Sequence, residues 1–311
     1  MRKIFFWLSA LLLLSWGGTQ YWPVSVHICG SASEEGFSIR MPLKDKRRLE
    51  YFFRDVCFLN AWAYTLLGSK PMSIHQYRKP WATLRYFLFH PEMKSILLEC
   101  LWPPKFYELC HLLDPEQLKI QLGWDTLNRY ISYFPYSRFA LYTSDPSDEG
   151  IVVLTVIDKV KFIKIVEQHL EDFQHVLQAQ TVTPEDLFDN KKLQTFLKDL
   201  NTNSLLGTVL GFGRENAQLF HKYRELNLPE WPLVSPWQDE ELMHLEKLNQ
   251  KTISFQPWDL SDLFYPPFVC DPHSEETQQL RQTYREERGK IIQYYEGKDI
   301  VEATLSLFNR E

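Results

Sequence analysis

The stretch Leu205–Phe220, reading LLGTVLGFGRENAQLF, constrains the fold more than any other part of the chain. Leu205 to Leu210 is apolar yet far shorter than the ~20 residues that span a bilayer, so it has to be buried by protein. Two readings fit it. In the first, Leu205–Leu210 is a strand and Gly211-Phe212-Gly213 a strand-to-helix turn. Backbone N–H groups of that turn, with Arg214, would then hold a phosphate at the start of the following helix. In the second, Asn203 or Ser204 caps a short buried helix, and Gly207 and Gly211, four apart, let a neighbour approach closely. Gly213 takes the positive φ of a helix break, and a second helix follows with Ala217, Phe220 and Tyr223 on one face.

The second reading is preferred on chemistry. A dinucleotide fingerprint needs glycine where Asn216 stands, and the Gly-Lys-Ser/Thr ending of a P-loop is missing. Glu215 in the first helical turn would repel an anion. Gly211, Gly213 and Arg214 therefore remain the candidate phosphate turn of the alternative reading.

The chain opens with Met1-Arg2-Lys3 and then Ile4 to Trp16, almost all apolar, which is the n-region and h-region of a secretory leader. The leader, within residues 1–33, is expected to be a signal peptide or a membrane anchor. Small residues at Ser15, Gly17, Gly18 and Thr19 offer an early cleavage site, and Ser31-Ala32-Ser33 a late one. Cys29 does not read as a lipid anchor, because Val26-His27-Ile28 precedes it. The expected location is thus exported: periplasmic, secreted or membrane-anchored.

A net charge of −6 in 311 residues makes nucleic acid an improbable partner, and 44% hydrophobic residues suffice for a sizeable core. The five cysteines form no CxxC pair, and His169 and His175 are six apart, a poor spacing for joint ligation. No metal site and no cofactor is implied.

Residues 34–311 read as one mostly helical domain with a sub-boundary near 227–237. A helix is expected from Leu43 to Leu67, stopped by Gly68, with Lys44, Lys46, Arg47 and Arg48 in its first turns. Those four side chains read as a solvated face, with contact to anionic lipid as the alternative. Gly68-Ser69-Lys70 looks like the tail of a phosphate loop without its upstream glycine. Short helices punctuated by prolines follow to residue 122. Phe139–Thr143 and Ile151–Ile157, joined by a turn-rich connection, predict a hairpin. Asp158 then caps a helix to about Gln178, and Thr183-Pro184 and Ser235-Pro236 open others. Thr252–Phe255 is a candidate edge strand. Helices from Ser274 to Tyr295 and from Lys298 to Phe308 close the chain around Gly297. The expected class is α+β, predominantly helical, with a small antiparallel β-sheet.

Six of ten tryptophans adjoin a proline: Trp22, Trp81, Trp102, Trp231, Trp237 and Trp258. Rigid aromatics of this kind either clamp loops onto a core or stack on ligands. The aromatic loops around Trp231 to Trp237 and Trp258 to Phe268, the second within residues 256–273, make Trp231, Trp237, Trp258, Phe264 and Tyr265 the candidate ligand surface. Asp259 and Asp262 are its carboxylates, but no motif names a catalytic residue.

Ile157-Asp158-Lys159-Val160-Lys161-Phe162, the helix Val166–Leu177, Thr183-Pro184-Glu185-Asp186-Leu187 and LLGTVLGFGRENAQLF, in that order, resemble an uncharacterised family of chlamydial proteins with an N-terminal hydrophobic leader. Ala63 to Met72 looks like a second block of that family. The resemblance covers roughly residues 50–225 and implies an exported or envelope-associated bacterial protein. It supplies no activity, cofactor or site residue. Two functions follow as expectations. One is a non-catalytic envelope or host-facing binding protein, its protein or carbohydrate partner unspecified and its membrane association through the leader. The other is an enzyme or phospholigand binder at the glycine turn.

Overall fold

A computed structural model describes residues 22–29, 36–79, 115–135, 137–145, 147, 150–176, 183, 203–225, 235–237, 260–268 and 270–309. The protein is predominantly helical α+β, with two small antiparallel sheets of two and three strands among the described residues. It forms two compact units. The first takes in Met1–Phe53, Phe87–Ser137 and Gly297–Glu311, and the second Arg54–Tyr86 and Arg138–Glu296. The sub-boundary expected near 227–237 falls within the second unit, and residues 227–234 lie outside the described residues.

The first unit begins with strands β1 (Pro23–Ile28) and β2 (Phe37–Pro42), paired antiparallel from Pro23 opposite Pro42 to Ile28 opposite Phe37. Val26, Ile28, Ile39 and Met41 are buried, while Ser25, His27, Ser38 and Arg40 point to solvent, the alternation of a sheet with one wet face. Helix α1 (Leu43–Phe53) follows at once, and Leu43 N–H donates to the carbonyl of Trp22.

Two acids, one within α1 and one at the start of the closing helix, meet the basic cluster at the start of α1. Asp45 accepts from Arg129 and from the Tyr130 hydroxyl and lies 3.6 Å from Arg48, and Lys46 pairs with Asp299 at 2.9 Å. Positive charge in the first turns of a helix opposes its dipole, and these two acids compensate it here. Arg129 and Tyr130 belong to α3 (Pro115–Tyr130), whose Trp124 meets Phe52 of α1. The terminal helix, residues 300–308, is buried almost all round.

The second unit holds a three-stranded sheet in the order β3 (Met72–Arg78), β5 (Ile151–Asp158), β4 (Phe139–Thr143). The β4–β5 hairpin is the one expected, whereas β1, β2 and β3 were not. The helix expected over Leu43–Leu67 is interrupted. Arg54–Leu59 is a π-turn, Ala61 has φ 61°, and α2 is only Trp62–Leu66. The Asn60 amide donates to the carbonyl and the carboxylate of Asp55, fixing the interruption.

Asp158 ends β5 and caps α4 (Lys159–Gln168), accepting from Lys161 N–H. Fully buried, it also takes two bonds from Arg138 and one ion pair from Lys161, which together hold its carboxyl below the ordinary range against the opposing effect of burial. After a break at His169 comes α5 (Leu170–Val176). Then follow α6 (Asn203–Val209), α7 (Arg214–Glu225) and the long α8 (Glu275–Tyr295). Met72, Ile157, Phe162, Val166, Phe173, Leu205, Val209 and Leu210 form one core cluster. The closing helix of the first unit, α9, runs Ile300–Phe308. Gly297 separates α8 from α9 as expected, and Ser274 and Asp299 cap the two helices. Among the described residues no helix is long and apolar enough to cross a membrane. The predicted leader, the helix starts near 184 and 236 and the strand at 252–255 lie wholly or mostly outside the described residues.

Candidate functional site

The Leu205–Phe220 stretch is a helical hairpin, α6–turn–α7, and not a strand and helix. Gly211 N–H donates to Thr208 and Phe212 N–H to Gly207, closing α6 in a Schellman motif with Gly211 at φ 78°. Gly207 lets the second helix come close, since a Cβ there would lie 2.7 Å from that of Ala217. Gly213, at φ 86°, then starts α7.

The first amides of α7 are spoken for. Arg214, Glu215 and Asn216 donate their N–H groups to the carboxylate of Glu276, at 2.8, 3.3 and 3.0 Å. This is the anion site that a glycine turn before a helix creates, filled by a side chain of α8. A Cβ on Gly213 would overlap that carboxylate. Two further bonds tie the turn to its surroundings: the Tyr284 hydroxyl donates to Gly211 O at 2.6 Å, and Asn216 accepts from the Thr277 hydroxyl.

The second phosphate-like stretch ends the same way. Ser69 N–H donates to Glu287 Oε1 at 2.6 Å, and a Cβ on Gly68 would overlap Glu287. Glu276 and Glu287 are eleven positions apart, about three turns, so one face of α8 supplies both carboxylates. Burial pushes the Glu287 carboxyl up, and its Oε2 has no hydrogen-bond partner. Lys70, next in the chain, is fully buried. Its ammonium donates to Met72 O and lies 5.1 Å from the Phe212 ring centroid, and desolvation lowers its pKa to about 7.

The hairpin has a cavity along each side. One is an apolar groove of about 290 Å³ lined by residues of α6, the turn, α7 and the aromatic loop, among them Leu206, Leu210, Phe212, Phe220, Pro267 and Phe268. Phe212 and Phe268 stack at 5.4 Å, so the glycine turn and the aromatic loop meet here. Asn216 also lines the groove. Its amide donates to Phe212 O, and its oxygen accepts from Thr277 and from Asp271 N–H. The other is a polar cleft of about 130 Å³, where His169, Asp172 and His175 face Ser204, Thr208, Arg214 and Gln218. Arg214 pairs with Asp172 at 2.9 Å, an exposed pair of modest worth, and no group of acids, histidines or cysteines able to hold a metal occurs among the described residues.

The predicted ligand surface needs correction at Trp237. Its ring is wholly buried, stacked on Tyr265 at 4.3 Å, and its indole N–H donates to Pro266 O. It anchors the loop and presents no face to a ligand. Tyr265 and Phe264 are half-buried, and Phe264 N–H is held by Phe58 O. Trp231, Trp258 and Asp259 lie outside the described residues, and Asp262 is buried. Of the candidate phosphate turn, Gly211 has its carbonyl engaged, Gly213 sits over Glu276, and the Arg214 side chain turns to the polar cleft. Of the groove walls, Phe268 ends the predicted ligand loop, whereas Phe212 and Phe220 were missed, as was the meeting of the two histidines with Arg214. A phenylalanine held between two glycines was the available signal for the groove.

Compared with protein-family models, with curated proteins and with solved structures, the chain finds no match. The chlamydial likeness therefore rests on its sequence blocks alone.

Proposed function

We propose that the protein is a non-catalytic binding protein, exported and either released or held by its leader in a bacterial envelope or at a host-facing surface, and that its ligand sits in the apolar groove beside the α6–α7 hairpin. The composition of that groove carries the reading. Its walls are leucine, phenylalanine and proline, and its one polar side chain, Asn216, has both ends engaged. No acid, base or nucleophile lines it among the described residues. Such a surface gains by covering apolar area and has nothing with which to do chemistry. Export is supported by the leader sequence and by the chlamydial resemblance. The alternative, an enzyme or phospholigand binder at Gly211–Gly213, requires Glu276 to leave the amides that it now occupies.

The test is fluorescence titration of the chain with N-phenyl-1-naphthylamine, an uncharged apolar probe. Phe220→Glu, which places a carboxylate on the groove wall, is expected to weaken binding by about tenfold or more, the equivalent of ~1.4 kcal/mol. Equal binding by the two proteins, both folded by circular dichroism, would place the ligand elsewhere.

A further inference from the structure

We propose that the occupant of the apolar groove is a free medium-chain carboxylic acid, its alkyl chain laid along the groove and its carboxylate on Arg224. The inference rests on the groove reading above and adds the ligand's chemical class to it. The size of the groove sets the length of the chain. A dry apolar cavity of ~150 Å³ takes a six-carbon ring, so the groove's volume of about 290 Å³ has room for about ten to twelve carbons. One alkyl chain of that length fits, whereas the paired, longer chains of a membrane lipid do not. Phe212, Phe220 and Leu206 are half-buried and Pro267 is exposed, so apolar surface is left for such a chain to cover.

Helix α7 decides where the polar end of the ligand goes. Asn216, Ala217 and Phe220 are its groove residues, and Arg224 continues their row, one turn beyond Phe220 and within the last turn of the helix. Arg224 is exposed, and no ion pair holds it among the described residues. The other cations of α7 are taken or turned away. Arg214 pairs with Asp172 on the polar cleft, and His221 lies against Glu225. Lys222, two positions after Phe220, falls on the opposite side of the helix. At the start of α7 the amides already hold Glu276, which leaves a carboxylate no site at that end. An acid placed with its charge at Arg224 buries only its chain. Its carboxylate meets the guanidinium at the solvent edge, so neither charge is desolvated without a partner.

Displacement of N-phenyl-1-naphthylamine from the full chain, followed by fluorescence, tests this with hexanoate, octanoate, decanoate, dodecanoate and hexadecanoate, and with decanol as the uncharged control. Affinity is expected to rise by about threefold for each added methylene up to decanoate or dodecanoate and then to level off. Arg224→Gln should weaken decanoate by about threefold, and Arg224→Glu by more, while decanol and the probe bind as before. Suppose the probe binds and Phe220→Glu weakens it, yet decanoate binds the unaltered chain and both Arg224 variants equally: the acid is then overturned and the groove reading stands. Affinity that keeps climbing to hexadecanoate overturns the chain length in the same way. An equal loss for decanol in Arg224→Gln makes Arg224 a structural residue and overturns the carboxylate contact. Probe binding that Phe220→Glu leaves unchanged, or no probe binding at all, overturns the groove reading itself.

Discussion

Gly68-Ser69 and Gly211–Gly213 are two turns of similar chemistry with different outcomes. Each aims backbone N–H groups at an anion, and each receives a carboxylate from α8. At Gly213 three amides share the Glu276 carboxylate, so helix α7 starts with its orphan donors satisfied. At Ser69 a single amide meets Glu287, whose second oxygen is buried without a hydrogen-bond partner. The first contact is a cap that stabilises. The second spends most of its attraction against desolvation. A glycine turn resembling a phosphate loop therefore reports donors aimed at negative charge, and that charge can belong to the protein.

The widest gap between the two sites should come from Lys70, which follows Ser69 and whose buried ammonium donates to Met72 O. The unfolded chain holds a proton on this amine up to about pH 10.5, whereas the folded chain gives it up near pH 7. Stability should therefore rise with pH across that window, by ~1.4 kcal/mol per unit for one proton. Urea denaturation from pH 7 to 10 reads the slope, and Lys70→Met should flatten it and raise stability at neutral pH.

Gly213→Ala comes next. It combines a positive φ, costing ~1–2 kcal/mol, with expulsion of Glu276, for a total of about 3 kcal/mol. Gly68→Ala has overlap with Glu287 and with Tyr64 O but no positive φ, and should cost nearer ~2 kcal/mol. Equal losses in denaturation would erase the proposed distinction.

The smallest and most discriminating pair is Glu276→Gln against Glu287→Gln. Loss of charge at Glu276 should cost ~1–3 kcal/mol, because an amide cannot accept from three N–H groups as a carboxylate does. Glu287→Gln should be neutral or stabilising, and its effect has a pH signature. Because the folded carboxyl is raised above its ordinary 4.5, its contribution to stability is present below that pH and is lost as pH rises through the folded value. The glutamine variant should lack this decline.

The local signals of the sequence were good guides where a residue's role is decided by its neighbours in the chain. Asp158 caps the helix it precedes, α8 opens beside Ser274, Gly213 takes the positive φ of a helix break, and Phe139–Thr143 pairs with the strand that opens at Ile151. What was hidden depends on distant partners. Strand β1 is legible only through β2 and α9, and it lies within residues that a leader can claim. The π-turn at Arg54–Leu59 leaves the helical spacing of apolar residues intact and so escapes a periodicity argument. Trp237 looked like a ligand platform because proline-flanked aromatics serve both roles; only the indole N–H bond to Pro266 and the stacked Tyr265 assign it to the core. Glu276 and Glu287 carry no signal at all, since surface helices are full of glutamate.

The central claim is that α8 carboxylates, and no outside anion, fill these backbone sites. Amide resonances of Ser69, Arg214, Glu215 and Asn216, followed by two-dimensional NMR while inorganic phosphate is added, test it most directly. The account predicts that all four stay fixed in the unaltered protein and that the three around Arg214 begin to move only in Glu276→Gln. Saturable movement of those resonances in the unaltered protein would contradict it and restore the glycine turn as a phosphate site.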